Sequence, residues 1–343
     1  MRVPRHERGM RWWLAPGLFV SALSLACGGG TPTGRDGAAT TSYPSASATP
    51  QVTVTPALAT TPAPSPAPAT SPSPEAAVCE ARPGGPGAPV RDGNGPYYHQ
   101  VWLAHELPGA ARAGAGTMVL DHASVPDGVA IPGGATYVYY VNGATGGIDV
   151  ARVDGDAVTP LGPVTIDGVR NPAGIVDPDA TPLSAGGVRL AYLAGFGPPL
   201  PSRRGWTMCI ADGADGLAFA TRGPAITFDR ETTDPSLVRL ADGTWLMAAS
   251  QGRTTILARS ADGLRFEAGD TLPFGGVPEL ADAGGGKVRL YVCTNGIESY
   301  LSGDNGRSWQ REGVVATAPP PQRIICDPSR VAGTSLFFYK TAN

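Results

Sequence analysis

The sequence predicts an all-β domain, a five-bladed β-propeller, carried behind an export signal and a tether. Three observations predict it. Across residues 79–343 the apolar residues fall in short alternating or β-branched runs cut by Gly, Pro, Asp and Asn, with no sustained period of 3.6. These runs repeat: a proline beside polar groups, a short strand, a Gly turn and a second apolar strand, as in "VPDGVAIPGGATYVYYVNG", "DPDATPLSAGGVRLAYLAG", "DPSLVRLADGTWLMAAS", "VPELADAGGGKVRLYVC" and "DPSRVAGTSLFFYK". The units open at Pro126, Pro178, Pro235, Pro278 and Pro328, at spacings of 52, 57, 43 and 50 residues, the period of a four-stranded propeller blade.

The N-terminus reads as an address and not as part of the fold. "MRVPRHERGMRWWLAPGLFVSALSLAC" has four arginines (Arg2, Arg5, Arg8, Arg11), then an apolar run from Trp12 to Ala26, too short for a stop-transfer helix. It resembles a bacterial lipoprotein signal over residues 1–27, which implies lipidation of Cys27 and an anchor on the outer face of a membrane. Residues 28–78 mix Thr, Pro, Ser and Ala, too poor in bulky apolar groups to offset ordering entropy; they read as a disordered, partly polyproline tether. The expected location is therefore extracytoplasmic and lipid-anchored.

Within the domain, third strands are expected at "TTILARS" (254–260) and "IESYLSG" (297–303), each leading into a Ser-x-Asp turn and a fourth strand. The fifth unit stops at Asn343 after two strands. Its outer half is expected from the other end, with "YHQVWLAHELPG" (98–109) as third strand and "AGTMVLDH" (115–122) as fourth, which closes the ring and removes its edges. In "SGDNGRSWQ" Asp304 can accept from the backbone N–H groups of its own turn, Gly306 can take a positive φ and Trp309 can pack beneath. "SADGLRF" and "GADGLAF" are fainter copies. The pattern resembles the Asp-box of sialidases and other propellers, an architectural turn on the outer rim.

A net charge of −3 argues against nucleic acid as a partner, and a monomer is expected. Cys79, Cys209, Cys293 and Cys326 fit no zinc spacing; in an exported chain they permit two disulfides, with three pairings open.

The blade openings carry the acids: Asp127, Asp177, Asp179, Asp234, Glu279 and Asp327. First strands line a propeller's channel, and the residues flanking each proline are two apart and face one way. Carboxyls converging on one axis repel, which raises some pKa values and equips a site for paired acid–base work.

With these motifs, residues 79–343 resemble the five-bladed glycosidases of glycoside hydrolase family 43 (arabinanases and β-xylosidases) and their invertase and levansucrase relatives. The resemblance implies hydrolysis of arabinose- or xylose-containing glycans, with Asp127 as general base, Asp234 as the group that tunes and orients the acid, and Glu279 as general acid. An inverting mechanism would set the Asp127 and Glu279 carboxyls about 6.5–9.5 Å apart. In family enzymes the first Asp precedes its proline; here it follows. The substrate-binding set expected is Asp177, Asp179, Asp327, His122, Arg170 and Trp206, the last just after an insertion at 196–205 that can overhang the funnel. No cofactor is implied, although a Ca²⁺ in the central channel would suit the carboxylates.

Two other readings stand beside this one. A non-catalytic carbohydrate-binding or scaffolding propeller would use the same Asp-Pro-Ser openings as turn formers. A sialidase-like reading would draw on Arg170, Arg230, Arg323 and Arg330 to hold a carboxylate, but no Tyr–Glu pair accompanies them.

Overall fold

A computed structural model describes residues 74–84, 95–107, 111–195 and 205–343. The signal with Cys27, the tether to residue 73, and most of the 196–205 insertion lie outside the described residues.

The domain is a five-bladed β-propeller of five sheets, each with four antiparallel strands counted outward from the axis. Blade 1 runs Ala123–Ala130, Thr136–Asn142, Ile148–Asp154 and Ala157–Pro163. Blade 2 runs Ile175–Pro182, Val188–Ala194, Trp206–Gly213 and Ala218–Phe228; blade 3 runs Thr233–Arg239, Trp245–Gln251, Thr254–Ser260 and Glu267–Leu272. Blade 4 runs Pro278–Gly284, Lys287–Cys293, Ile297–Ser302 and Gln310–Ala316. In blade 5 the inner strands Ile324–Arg330 and Leu336–Ala342 are completed by Gln100–His105 and Thr117–Asp121, with Trp102 opposite Tyr339. The chain's two ends thus share one sheet, which closes the ring as the truncated fifth repeat implies.

The second strand of each blade is almost wholly buried because it alternates between two interfaces. In Trp245–Gln251, Trp245, Met247 and Ala249 pack toward blade 2, while Leu246 and Ala248 pack toward blade 4. The same alternation gives five apolar clusters, one per blade junction. The Asp turns fall between third and fourth strands of blades 2, 3 and 4. Asp304 accepts from the Arg307 and Ser308 N–H groups at 3.1 and 2.8 Å, Asp262 from Leu264 and Arg265 at 2.7 and 3.2 Å, and Asp215 from Leu217 and Ala218 at 2.9 Å. The Ser308 hydroxyl, donating to Asp304 at 2.6 Å, and these backbone bonds hold the three carboxyls below their usual range.

Two features depart from the sequence reading. A helix, Pro74–Cys79, occupies what reads as the end of the tether. Proline in its first turn, Glu75 near its N-terminus and an Ala pair favour it, and a Cys79–Cys209 disulfide holds it on the third strand of blade 2. The second disulfide, Cys293–Cys326, joins blades 4 and 5. In addition, a hairpin of Thr165–Ile166 and Val169–Arg170 extends the outer edge of blade 2, turning at Asp167 and Gly168, both at positive φ.

Candidate functional site on the propeller axis

Each inner strand enters the channel through the same three positions: a residue, a proline and a residue. Before the proline stand Val125, Asp177, Asp234, Val277 and Asp327; after it stand Asp127, Asp179, Ser236, Glu279 and Ser329. Four of the five preceding residues have left-handed backbone (Val125 φ 46°, Asp177 54°, Asp234 50°, Asp327 48°), and the strand pairing slips across the proline in the same four blades. This bulge sets the two flanking residues at different heights along the axis. The site therefore has two tiers.

The tier after the prolines is a closed hydrogen-bond ring. Asp127 accepts from the Ala180 N–H of blade 2 at 2.5 Å, and Asp179 from Leu237 N–H of blade 3 at 3.1 Å. Ser236 accepts from Leu280 N–H of blade 4 at 2.8 Å, and Glu279 from Arg330 N–H of blade 5 at 3.2 Å. Ser329 accepts from Gly128 N–H of blade 1 at 2.9 Å and completes the circle. Glycine at 128 matters here: a Cβ would sit 2.6 Å from Val331 of blade 5. The two serines also donate to their acidic neighbours, Ser329 to Asp127 at 2.7 Å and Ser236 to Glu279 at 2.9 Å. Both oxygens of Asp127 and of Glu279 are thus engaged within the ring.

One carboxylate oxygen from each of Asp127, Asp179 and Glu279 lies within 4.8 Å of the others, and the three residues are only 5%, 4% and 6% exposed. Burial pushes Asp127 up to about 7. Burial, and then the neighbouring acids, push Asp179 and Glu279 well above the carboxylate range. On the far face, where the inner strands end, these three carboxyls form the floor of a cavity of about 210 Å³ bordered by Arg239, Asp282 and Arg330.

The tier before the prolines faces the opening face, where the inner strands begin. Asp177 and Asp234 are half-buried, and Asp177 accepts from Asp234 N–H at 3.4 Å. Asp327 is buried and paired with Lys340 at 2.7 Å. Burial, with Asp327 second, raises Asp234 to about 6; burial, with Asp234 second, raises Asp177 well above its usual value. Burial works against the Lys340 charge, but Asp327, Asp234 and Asp177 outweigh it and hold its pKa up. Between the tiers a gap of about 20 Å³ lies on the axis, bordered by Asp127, Asp179, Asp234, Glu279 and Asp327.

Several expectations are corrected by this geometry. Asp127 and Glu279 do come together, but their third partner is Asp179; Asp234 lies in the other tier because the bulge separates positions that a flat strand would align. One oxygen of Asp127 and one of Glu279 lie within 4.8 Å of each other. Arg170 ends the hairpin at the outermost edge of blade 2, beside Gly162 and with four strands between it and the inner one. Trp206 begins the third strand of blade 2 and packs against the cluster between blades 2 and 3. His122 stands before the inner strand of blade 1, half-exposed, stacked 4.0 Å from the Tyr97 ring and hydrogen-bonded through Nδ1 to Tyr97 O. Sequence reasoning passed over Ser236, Ser329 and Lys340; the serines were visible as the "DPS" repeats, at the position Asp127 and Asp179 occupy.

A Ca²⁺ fits the ring on one count: oxygens each 2.3–2.6 Å from one ion satisfy the 4.8 Å limit that relates Asp127, Asp179 and Glu279. The axial gap is the size of a single ion or water.

The fold and site together define a five-bladed propeller with a two-tiered acidic axis. No protein-family model matches the sequence, and no curated protein matches it. Among solved structures, the chain is similar to a GH43_1 enzyme from Xanthomonas citri at 16% identity and a TM-score of 0.44, covering 64% of this chain and 86% of that one. It is similar to a family 117 glycoside hydrolase produced by the marine bacterium Zobellia galactanivorans at 16% identity and 0.47, covering 71% and 81%. The native Bacillus subtilis arabinanase matches at 14% and 0.45, covering 64% and 95%.

Proposed function

We propose that the domain is a saccharide-binding propeller displayed outside the cytoplasm, in which the carboxyls of the ring latch the blades together. The observation that carries this reading is the closed ring: every acceptor after a proline is bonded to the next blade's N–H. A general base must present a free oxygen to water, and a general acid must reach the leaving oxygen. Each oxygen of Asp127 and of Glu279 already accepts one bond within the ring, which fixes these carboxyls against the neighbouring blades and leaves only their remaining lone pairs for water or a cation. That the ligand is a saccharide rests on the resemblance of the blade openings to family 43. A cation on the axis would be held by Asp127, Asp179 and Glu279 and would neutralise their mutual repulsion.

A second reading has its own observation. Asp177 and Asp234 are half-buried at the opening face with interacting carboxyls, and Asp234 is raised to about 6. Such a pair can hold one proton near neutral pH, as glycoside hydrolysis requires.

The engagement of all four domain cysteines in disulfides supports an oxidising compartment, and with it export; the lipid anchor at Cys27 rests on the resemblance of residues 1–27 to a lipoprotein signal. Replacing Cys27 by Ser should move the protein from the membrane fraction to the soluble one; retention in the membrane would remove the anchor from the reading. The functional test pairs a glycan-binding screen with hydrolysis of chromogenic arabinosides, xylosides, galactosides and sialosides. Glycan binding without sugar release is the expected outcome. Release lost in Asp234→Asn would favour the second reading, and release lost in Glu279→Gln would restore Glu279 as an acid.

A further inference from the structure

A cavity larger than the two on the axis lies away from it. A cleft of about 730 Å³ opens on the far face between blades 4 and 5, within the size range of small-molecule sites. Arg330, at the end of the blade 5 inner strand, lines both this cleft and the axial cavity. Its Nε donates to Glu106 Oε2 at 2.6 Å, and the other Glu106 oxygen accepts from Tyr291 Oη at 2.5 Å. Arg289 is held by Glu312 in a two-point pair at 2.7 and 3.0 Å. Both arginine side chains are more than four-fifths buried, so each guanidinium is fixed in place by a carboxylate behind it.

The arginines whose guanidinium nitrogens remain unmet both line the cleft. Neither Nη of Arg330 has a hydrogen-bond partner among the described residues, and the exposed guanidinium of Arg112 has none either. Three guanidiniums face two carboxylates that are already paired, which leaves about one positive charge uncompensated in the cleft. The planar edge of a guanidinium fixed through Nε matches the two oxygens of a carboxylate. Thr334 Oγ1 and Ser335 Oγ, already bonded to Val331 O and His105 Nδ1, edge one wall, and Leu107 and Val314, 47% and 43% exposed, supply an apolar face. An apolar face beside a few fixed polar groups suits the C–H face of a sugar ring.

We infer that this cleft binds a carboxylate-bearing saccharide, the carboxylate held by Arg330 and Arg112 and the ring laid against Leu107 and Val314. The inference rests on the saccharide-binding reading and adds the place and charge of the ligand.

Calorimetric titration of the full chain tests it with four probes: tri-galacturonate, its methyl ester, galactotriose and acetate. Tri-galacturonate should bind, and the methyl ester should bind at least about tenfold more weakly, since a charge-assisted pair is lost. Arg112→Ala and Arg330→Lys should each weaken tri-galacturonate by about tenfold or more. Arg253→Ala, on the blade 3 hairpin, should not. Arg112 is exposed, so that variant folds whether or not Arg330→Lys does, and thermal melts of both accompany the titrations. Equal affinity for the acid and its ester, or unchanged binding in Arg112→Ala, overturns the inference. Binding of galactotriose as tight as tri-galacturonate also overturns it but leaves a saccharide-binding propeller standing. Acetate binding with no saccharide bound overturns both.

Discussion

If the ring carboxyls latch the blades, replacing Asp127 by Asn should stabilise the protein at alkaline pH. Asp127 is 5% exposed and burial raises it to about 7, against an ordinary value of 3.8. Its folded value lies above its unfolded one, so the folded state binds the extra proton. That contribution is complete below about pH 4 and is lost as pH climbs toward 7. A shift of about 3 units at 1.36 kcal/mol each sets a ceiling of about 4 kcal/mol. Because Asp179 and Glu279 titrate with it, about 2–4 kcal/mol is the fair expectation for the single substitution. Asn keeps an oxygen for the Ala180 N–H and offers Nδ2 to Ser329 Oγ, so the ring survives without the charge. Urea unfolding across pH 4–8.5, with a chelator present, reads the effect. The parent should lose stability from pH 5 to 8. Asp127→Asn should gain about 2–4 kcal/mol over it at pH 8 and lie within about 1 kcal/mol at pH 4.5. A parent whose stability rises over that interval, or a variant weaker than the parent at pH 8, would refute the latch.

Three further outcomes follow from the same geometry. Ser236→Ala leaves the Leu280 N–H without its acceptor and Glu279 Oε2 without its donor, and should cost about 2–4 kcal/mol in denaturant unfolding; a loss below about 1 kcal/mol would mean the ring is not closed in solution. Adding Ca²⁺ at pH 8 should raise the melting temperature, by the equivalent of about 2.7 kcal/mol at a hundredfold excess over Kd. Asp179→Asn should abolish that gain; an equal gain in the variant would put the cation elsewhere. Cys79→Ser should cost about 2–5 kcal/mol, since the bridge closes a 130-residue separation, and should expose 74–79 to protease; a variant as stable and as resistant as the parent would show the helix is held by packing alone.

The blades were legible because their signal is local and repeated. Five prolines in register, Gly turns and apolar second strands need no knowledge of the rest of the chain, and the missing half of blade 5 follows from counting strands. The axial site was legible only in its residue list. Asp127, Asp179, Asp234 and Glu279 look alike as neighbours of a proline, and which of them meet depends on a bulge with left-handed residues that no alternation pattern records. Asp234 therefore reads in the sequence as a companion of Asp127 and Glu279 yet stands in the other tier, and Ser236 and Ser329 give little signal because a hydroxyl carries no charge. Arg170 misled for a different reason: its hairpin joins the outer strand of blade 2 by parallel pairing, a contact set by tertiary packing. The helix at Pro74–Cys79 is tied to blade 2 by a disulfide whose pairing the sequence left open.

The composition of the ring explains why ligand recognition would move off the axis. Five acids in these positions would place five like charges around one gap, but blades 3 and 5 contribute Ser236 and Ser329, which flank Glu279 and Asp127 and donate to them. The ring is thus filled by acceptors for backbone N–H groups, diluted with hydroxyls so that the remaining carboxyls can be protonated or shared. A group that must stay bonded to the next blade cannot also turn toward a substrate without opening the junction. Unmet donors occur instead where the blades diverge: Arg330 follows the ring residue Ser329 directly, gives its backbone N–H to Glu279 and turns its side chain outward to Glu106 and the cleft. One residue therefore connects the latch to the cleft, so that ligand bound at Arg330 would bear on the junction between blades 4 and 5.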